Sequence, residues 1–240
     1  MGNVNRTVIA LLVAVALTSA PAVANPMPPP QEPDNTGDFV FLGAVVAIGM
    51  AATAIFAYTL LSRRGDATSC TFAAEEVTIT LTPGKARVRG TYTFYNGGGE
   101  DASLTVAYPF AAGEALGPAE NVAVCDGAGR DVPFARADGK VSFDVAVPAG
   151  GRADVVVAFE QPCSAHSFTY ILTTTRAWGR PLESARFVVE APPSFGPVAS
   201  TYPLEPLADD GAIIKYGFTR ENFYPEEELT LSWQPAASGE

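Results

Sequence analysis

The sequence predicts an all-β protein, an antiparallel β-sandwich of about ten strands, in residues 66–236. Apolar and polar residues alternate over short stretches, which is typical of strands with one buried face. Clusters of glycine, proline and asparagine separate these stretches. No long amphipathic helix follows residue 65, and parallel pairs would need crossover helices, so the strands are predicted to pair antiparallel.

Two segments at the amino end are predicted to precede a membrane span. In residues 1–24, Arg6 precedes an apolar run, and small residues surround a cleavage site after Ala24, which predicts a signal peptide. An uncleaved first span is the alternative. Residues 25–38 contain five prolines and no apolar periodicity, which predicts an extended linker.

Residues 39–61 contain no charged side chain and are predicted to form a single transmembrane helix roughly 34 Å long. Gly43, Ala47 and Ala51 lie four residues apart, so they are predicted to let another helix pack closely, through self-association or with a protein partner. Arg63 and Arg64 follow this helix, and basic flanks favour the cytoplasmic side. This charge rule places the β body in the cytoplasm.

The β body is predicted to begin with a hairpin. Apolar residues alternate with threonines over 77–81, a turn follows at 82–85, and the strand 86–95 directs its apolar side chains to one face. Further strands are predicted at 103–110, 121–125, 141–147, 153–159, 168–173, 186–190, 213–218 and 229–233. The spacing leaves open whether this is one sandwich or two small ones in tandem, with a break near 161–165.

The charge and the motif content exclude several classes of function. The net charge of the chain is −11, which disfavours nucleic-acid binding because that binding needs Lys and Arg to neutralise phosphates. There is no glycine-rich phosphate loop between a strand and a helix, and no Gly-x-Ser-x-Gly elbow. The sequence therefore predicts a non-enzymatic protein without a cofactor.

Three cysteines and one histidine allow three interpretations. The thiols are free, or Cys125 and Cys163 form a single disulfide. Alternatively, Cys163 and His166, two residues apart, form half of a zinc site that Cys70 and Cys125 complete. In the third interpretation Cys163 is a nucleophile and His166 its base.

Trp178 lies between Arg176 and Arg180 at a predicted strand end, which allows two interpretations. In the structural one the indole caps the core of the sandwich and the arginines stack on it. In the functional one the three side chains form a shallow binding site for a sugar ring or an acidic ligand. Trp233 and Phe223 are predicted to lie in the core.

Several short motifs resemble an uncharacterised family of bacterial exported, membrane-associated β-sandwich proteins. These motifs are a Thr-Thr-x-x-Trp corner at 174–178, an Asn-Phe-Tyr-Pro turn at 222–225, and the segments 87–96 and 108–110. The resemblance spans 75–233 and implies a β-rich body outside the cytoplasm. The charge rule implies the opposite side, so the side of the membrane remains open from the sequence.

Three functional hypotheses follow. The first is a membrane-tethered β-sandwich that acts as a non-catalytic structural or interaction module of the cell envelope. The second is a binding module for carbohydrate or peptide near Trp178. The third is an enzyme or zinc protein that uses the cysteines and His166.

Overall fold

The computed structural model describes residues 69–137 and 139–234, and this part of the chain is all-β. The predicted signal peptide, linker and membrane span, with the packing face Gly43, Ala47 and Ala51, lie outside the described residues. Within the described residues, no helix has the length and apolar character needed to cross a bilayer.

Thirteen strands are present in the described residues: β1 (Cys70–Thr82), β2 (Lys85–Asn96), β3 (Ala102–Pro109), β4 (Glu120–Asp126), β5 (Phe134–Ala137), β6 (Lys140–Val147), β7 (Arg152–Pro162), β8 (Ser167–Tyr170), β9 (Leu182–Ala191), β10 (Val198–Ser200), β11 (Glu205–Asp209), β12 (Ile214–Phe223) and β13 (Leu229–Trp233). One sheet has seven strands in the order β11-β12-β9-β1-β2-β7-β4. Two sheets have three strands each, in the orders β10-β13-β8 and β3-β6-β5.

The predicted first hairpin is confirmed. β1 and β2 pair antiparallel, from Thr82 opposite Lys85 to Cys70 opposite Asn96. Val77 on β1 and Val88 on β2 are buried, as the alternation of apolar residues predicts for strands with one inner face. This hairpin lies in the middle of the large sheet.

The prediction of purely antiparallel pairing is wrong. Ala74–Thr80 of β1 runs parallel to Ser184–Glu190 of β9. Parallel neighbours need a long crossover, which is usually a helix. Here the chain between β1 and β9 instead passes through β2 to β8, so strands of the small sheets take the place of the crossover helix.

The three sheets bury a single apolar core, giving a sandwich-like arrangement. Leu104 on β3, Phe187 on β9 and Leu231 on β13 belong to one cluster of buried side chains. Strands before and after 161–165 contribute to this cluster and to the same sheet, so the structure has no break there. Trp233 and Phe223 are buried, as predicted.

The segment after β8 differs from the prediction in a way that positions the candidate site. The strand predicted at 168–173 ends at Tyr170, and a 3-10 helix, Thr173–Trp178, follows. The Glu228 carboxylate accepts a hydrogen bond of 3.1 Å from the backbone N–H of Thr173. Gly179 ends the helix with a φ of 69°, a left-handed conformation that glycine adopts readily.

Candidate functional site

A cavity of about 60 Å³ lies between β1 and β2 of the large sheet and the strands β3, β6 and β8 of the small sheets. We call it the aromatic cavity, because seven aromatic side chains line it: Phe72, Tyr92, Phe94, Tyr108, Phe143, Tyr170 and Trp178. Glu75 and Tyr92 at one side are buried, whereas Pro109, Thr174 and Trp178 are half-buried. The cavity therefore extends from the core towards the surface.

A β-bulge in β1 places both Phe72 and Glu75 at this cavity. Phe72 pairs with Phe94, but Ala74 pairs with Thr93, so Ala73 is the extra residue. In a regular strand, side chains three apart point to opposite faces. The bulge changes this alternation, so Phe72 and Glu75 are both buried and both line the cavity.

Among the described residues that line the aromatic cavity, Glu75 is the one acidic side chain. Only 5% of its surface is exposed, and its Oε1 atom has no hydrogen-bond partner within the described residues. Burial raises the pKa of Glu75 from 4.5 to about 8, because a carboxylate loses its hydration in the core. At neutral pH the Glu75 carboxyl group is therefore mostly protonated.

Three tyrosine hydroxyl groups from three different strands meet beside Glu75. The hydroxyl oxygen of Tyr92 lies 2.8 Å from those of Tyr108 and Tyr170, and the last two are 3.4 Å apart. Burial is the main cause that raises the pKa of all three, that of Tyr108 to about 12, and the nearby Glu75 charge adds to it. All three phenols are therefore neutral at physiological pH, and each offers an oxygen lone pair.

Gly90 on β2 makes room for the Tyr92 side chain. A Cβ atom at position 90 would lie 2.0 Å from the Tyr92 hydroxyl oxygen, which no real contact permits. We therefore expect Gly90→Ala to displace Tyr92, disrupt the hydroxyl triangle and lower the free energy of unfolding by about 1–3 kcal/mol. Urea unfolding measures this loss.

Gly99→Ala is the matched control for Gly90→Ala. Gly99 is exposed, and nothing lies within 4 Å of a Cβ atom built there. An equal loss of stability in both variants would contradict the steric role of Gly90.

Trp178 forms one wall of the aromatic cavity. Its ring centroid lies 6.1 Å from that of Phe72 and 5.7 Å from that of Phe94, and the side chain is half-buried. The guanidinium group of Arg176 stacks on Tyr224 at 5.1 Å rather than on Trp178, and Arg180 is exposed. Trp178 thus packs against Phe72 and Phe94, and the ring on which Arg176 stacks is that of Tyr224.

The structure separates the cysteines. Cys125 on β4 lies opposite Val156 of β7, and Cys163 comes directly after the last residue of β7, seven residues from Val156 and roughly 23 Å away along an extended chain. Neither forms a disulfide, since Cα atoms more than about 7 Å apart cannot be bridged. Cys70 lies opposite Asn96, at the carboxyl end of β2. Cys163 lies near the other end of β2, where its N–H donates a hydrogen bond to the Gly84 carbonyl.

The positions of the cysteines and His166 support neither the zinc interpretation nor the nucleophile interpretation. Among the described residues, no group of three or more His, Cys, Asp and Glu side chains is placed to hold a metal ion. The His166 ring packs edge-on against Trp233 with centroids 6.3 Å apart. Burial raises the pKa of the Cys163 thiol, which lowers the fraction of reactive thiolate.

A shallow groove on the outer face of the large sheet has different chemistry. The Glu160 carboxylate there accepts hydrogen bonds from Lys85 at 2.7 Å and from Arg87 at 2.8 Å. The Lys85 hydrogen bond is the largest cause that lowers the pKa of Glu160 to about 2. The charge of Glu160 is therefore already paired, in contrast to the Glu75 carboxyl group.

The sequence did not predict that Glu75, Tyr92, Tyr108 and Tyr170 lie together in a site. A signal for Glu75 was present, because a strand with Val77, Ile79 and Leu81 facing inward also turns residue 75 inward. Tyr92 shares the inward face of Val88 and Phe94 by the same alternation, but no local pattern indicates that it meets Tyr108 and Tyr170, whose strands are distant in sequence.

Comparisons with known proteins support the fold. No protein-family model and no curated protein sequence matches this chain. A crystal structure of a candidate nutrient-binding protein from Legionella pneumophila matches with a TM-score of 0.57 at 14% identity, covering 69% of this chain and 67% of that one. Similarity at this identity shows the fold alone.

A weaker similarity involves an M1 zinc metallopeptidase from Deinococcus radiodurans. Its structure matches with a TM-score of 0.45 at 12% identity, over 68% of this chain. This chain matches only 42% of the length of that peptidase.

Proposed function

We propose that this protein is a non-catalytic binding module of the cell envelope, tethered by the predicted membrane span at 39–61, and that its β body holds a small polar ligand in the aromatic cavity. The observation that supports the proposal is the buried Glu75 carboxyl group, whose Oε1 atom lacks a hydrogen-bond partner within the described residues. Trp178, for which ligand binding is one of the two interpretations of the sequence, lines this cavity.

The free-energy cost of leaving Glu75 Oε1 without a hydrogen bond favours the binding of a ligand that supplies one. Leaving a buried polar group without a partner costs about 1–3 kcal/mol, and more for a charged one. A ligand atom that donates a hydrogen bond to Oε1 would recover this loss. The neighbouring tyrosine hydroxyls would add acceptors for further donors on the same ligand.

Size and chemistry favour binding over catalysis. Pockets for drug-sized ligands have volumes of about 300–1,000 Å³, and the aromatic cavity has about 60 Å³. It can enclose a single small group while the rest of a ligand lies at the half-buried mouth near Thr174. Among the described residues that line it, Glu75 is the one group that titrates near neutral pH, and its side-chain neighbours are neutral.

A blocking variant tests the binding function. Thr174 lines the mouth of the cavity, whereas Ala177 lies on the same 3-10 helix, exposed and outside the lining. We expect saturation-transfer NMR on the full chain in a non-ionic detergent to detect at least one of four probes: n-propanol, acetamide, acetate or methylammonium. The signal should be lost in Thr174→Phe, because the ring fills the mouth, and kept in Ala177→Phe.

The binding function would be overturned if none of the four probes gave a signal. It would also be overturned if Thr174→Phe and Ala177→Phe gave the same signal. Urea unfolding of both variants shows whether each retains the fold, so a lost signal is not mistaken for an unfolded protein.

A further inference from the structure

We propose that the ligand of the aromatic cavity is a small organic cation, bound through a primary ammonium group that pairs with the Glu75 carboxylate. This inference rests on the proposed binding function and specifies its ligand class.

The lining of the cavity has the chemistry of a cation site. Among the described residues that line it, one is acidic and none is Lys, Arg or His. Seven aromatic rings surround the space, and ring faces attract cations, more strongly where water is excluded. The described lining offers an anion no cationic side chain with which to pair.

The hydrogen-bonding groups match a primary ammonium group. Such a group has three N–H donors and no acceptor. Glu75 Oε1 is an acceptor without a protein partner, and the three phenol oxygens of Tyr92, Tyr108 and Tyr170 lie together as further acceptors. The donors of the ligand and the acceptors of the protein are therefore complementary.

Volume and charge exclude the larger and more highly charged cations. An engineered cavity of about 150 Å³ accepts benzene, so a cavity of about 60 Å³ has room for two or three non-hydrogen atoms. A quaternary ammonium group with four methyl groups is too large. Calcium takes about 6–8 oxygen ligands, typically including several carboxylates, and this lining has one carboxylate.

Binding of the cation is coupled to release of a proton. Burial raises the pKa of Glu75 to about 8, so an ammonium group that binds near neutral pH must displace the carboxyl proton. The other titratable groups facing Glu75 are Tyr92 on β2, Tyr108 on β3 and Tyr170 on β8, and burial raises the pKa of each above its ordinary value. Glu76 lies on the opposite, exposed face and pairs with Arg186.

The test is calorimetric titration of the full chain in a non-ionic detergent with methylammonium chloride. Below about pH 8 the affinity for methylammonium should rise about tenfold per pH unit, because the ionised fraction of Glu75 rises by the same factor. Above about pH 8 the affinity should level off. Near pH 7, titrations in two buffers with different ionisation enthalpies should show release of close to one proton per ammonium bound.

Two variants locate the site. Glu75→Gln should lower the affinity at least tenfold and abolish its pH dependence. Glu76→Gln, which removes the neighbouring carboxylate from the outer face, should leave the affinity within about twofold, since exposed ion pairs contribute little. Tetramethylammonium chloride should not bind, and potassium chloride serves as the matched salt.

Three outcomes would overturn the cation inference: binding of potassium as tight as that of methylammonium, binding that Glu75→Gln leaves intact, or no binding of methylammonium at any pH. If methylammonium fails while acetamide, acetate or n-propanol gives a signal that depends on Thr174, the binding function stands and the cation inference alone is wrong. If all four probes fail, both are wrong.

Discussion

The free energy of unfolding of this protein should fall by roughly 5 kcal/mol, relative to Glu75→Gln, as the pH rises from about 4.5 to about 8. The cause is the burial of the Glu75 carboxyl group, which is 5% exposed and lacks a partner for Oε1 within the described residues. Over this pH range the Glu75 carboxyl group loses its proton in the unfolded chain and keeps it in the folded protein.

The sign of the effect follows from the raised pKa of Glu75. Below about pH 4.5 the carboxyl group is protonated in both states, and its contribution to stability is at its maximum. Between about pH 4.5 and 8 the unfolded state alone loses the proton, which costs about 1.4 kcal/mol per pH unit. Above about pH 8 both states are ionised and the loss is complete.

Carboxyl groups with lowered pKa values change the stability of the protein outside the range from about pH 4.5 to 8. Hydrogen bonds to Glu160 and Glu190, chiefly from Lys85 and Lys215, lower their pKa values. Their contributions to stability are lost as the pH falls below about 4.5, the ordinary value for glutamate. They are also shared by Glu75→Gln, so the difference between the two proteins isolates Glu75.

Tryptophan fluorescence during urea unfolding measures this difference. The chain has two tryptophans, Trp178 and Trp233, and both lie in the β body, so the signal reports on that body in the full chain. Glu75→Gln should be the more stable protein near pH 8. Two pH profiles that run parallel between about pH 5 and 8 would contradict the raised pKa of Glu75.

Phe187→Ala should lower the free energy of unfolding by about 3–5 kcal/mol. Phe187 has no exposed surface and lies on β9, between β1 and β12 of the large sheet. Its ring stacks on that of Phe218 with centroids 4.8 Å apart, and the ring of Tyr170 meets it edge-on at 6.1 Å. Removing the ring leaves a cavity where the large sheet meets β8.

Phe134→Ala is the matched control for Phe187→Ala. Phe134 lies on β5, at the edge of a small sheet, and 39% of its surface is exposed. The loss there should stay below about 1 kcal/mol, as for other surface substitutions. Similar losses in both variants would show that Phe187 is not a central residue of the core.

Most of the individual strands could be predicted from the sequence because their signals are local. The alternation of apolar residues over 77–81 and the turn at 82–85 lie within about ten residues, and the hairpin forms as predicted. The burial of Trp233 and Phe223 was predicted from another local property, the large aromatic side chain of each residue. By contrast, the strand predicted at 168–173 ends early, and a carboxylate more than fifty residues away, that of Glu228, accepts a hydrogen bond from the N–H of Thr173.

The pairing of the strands could not be predicted in the same way. The parallel neighbours β1 and β9 are separated by more than a hundred residues, and a period of two does not specify which strand lies beside which. The absence of helices indicated antiparallel pairing, but strands can also form the crossover. The β-bulge at Ala73, which directs both Phe72 and Glu75 inward, likewise has no signal in the alternation pattern.

By itself, the sequence determined that the body is all-β and that residue 75 shares a face with the buried Val77, Ile79 and Leu81. Only the tertiary structure decided that this face carries the hydroxyl triangle of the candidate site, because Tyr92, Tyr108 and Tyr170, up to 78 residues apart, meet there. The physical reason is that burial and hydrogen bonding depend on which strands pack together, whereas alternation specifies only the face on which each side chain lies.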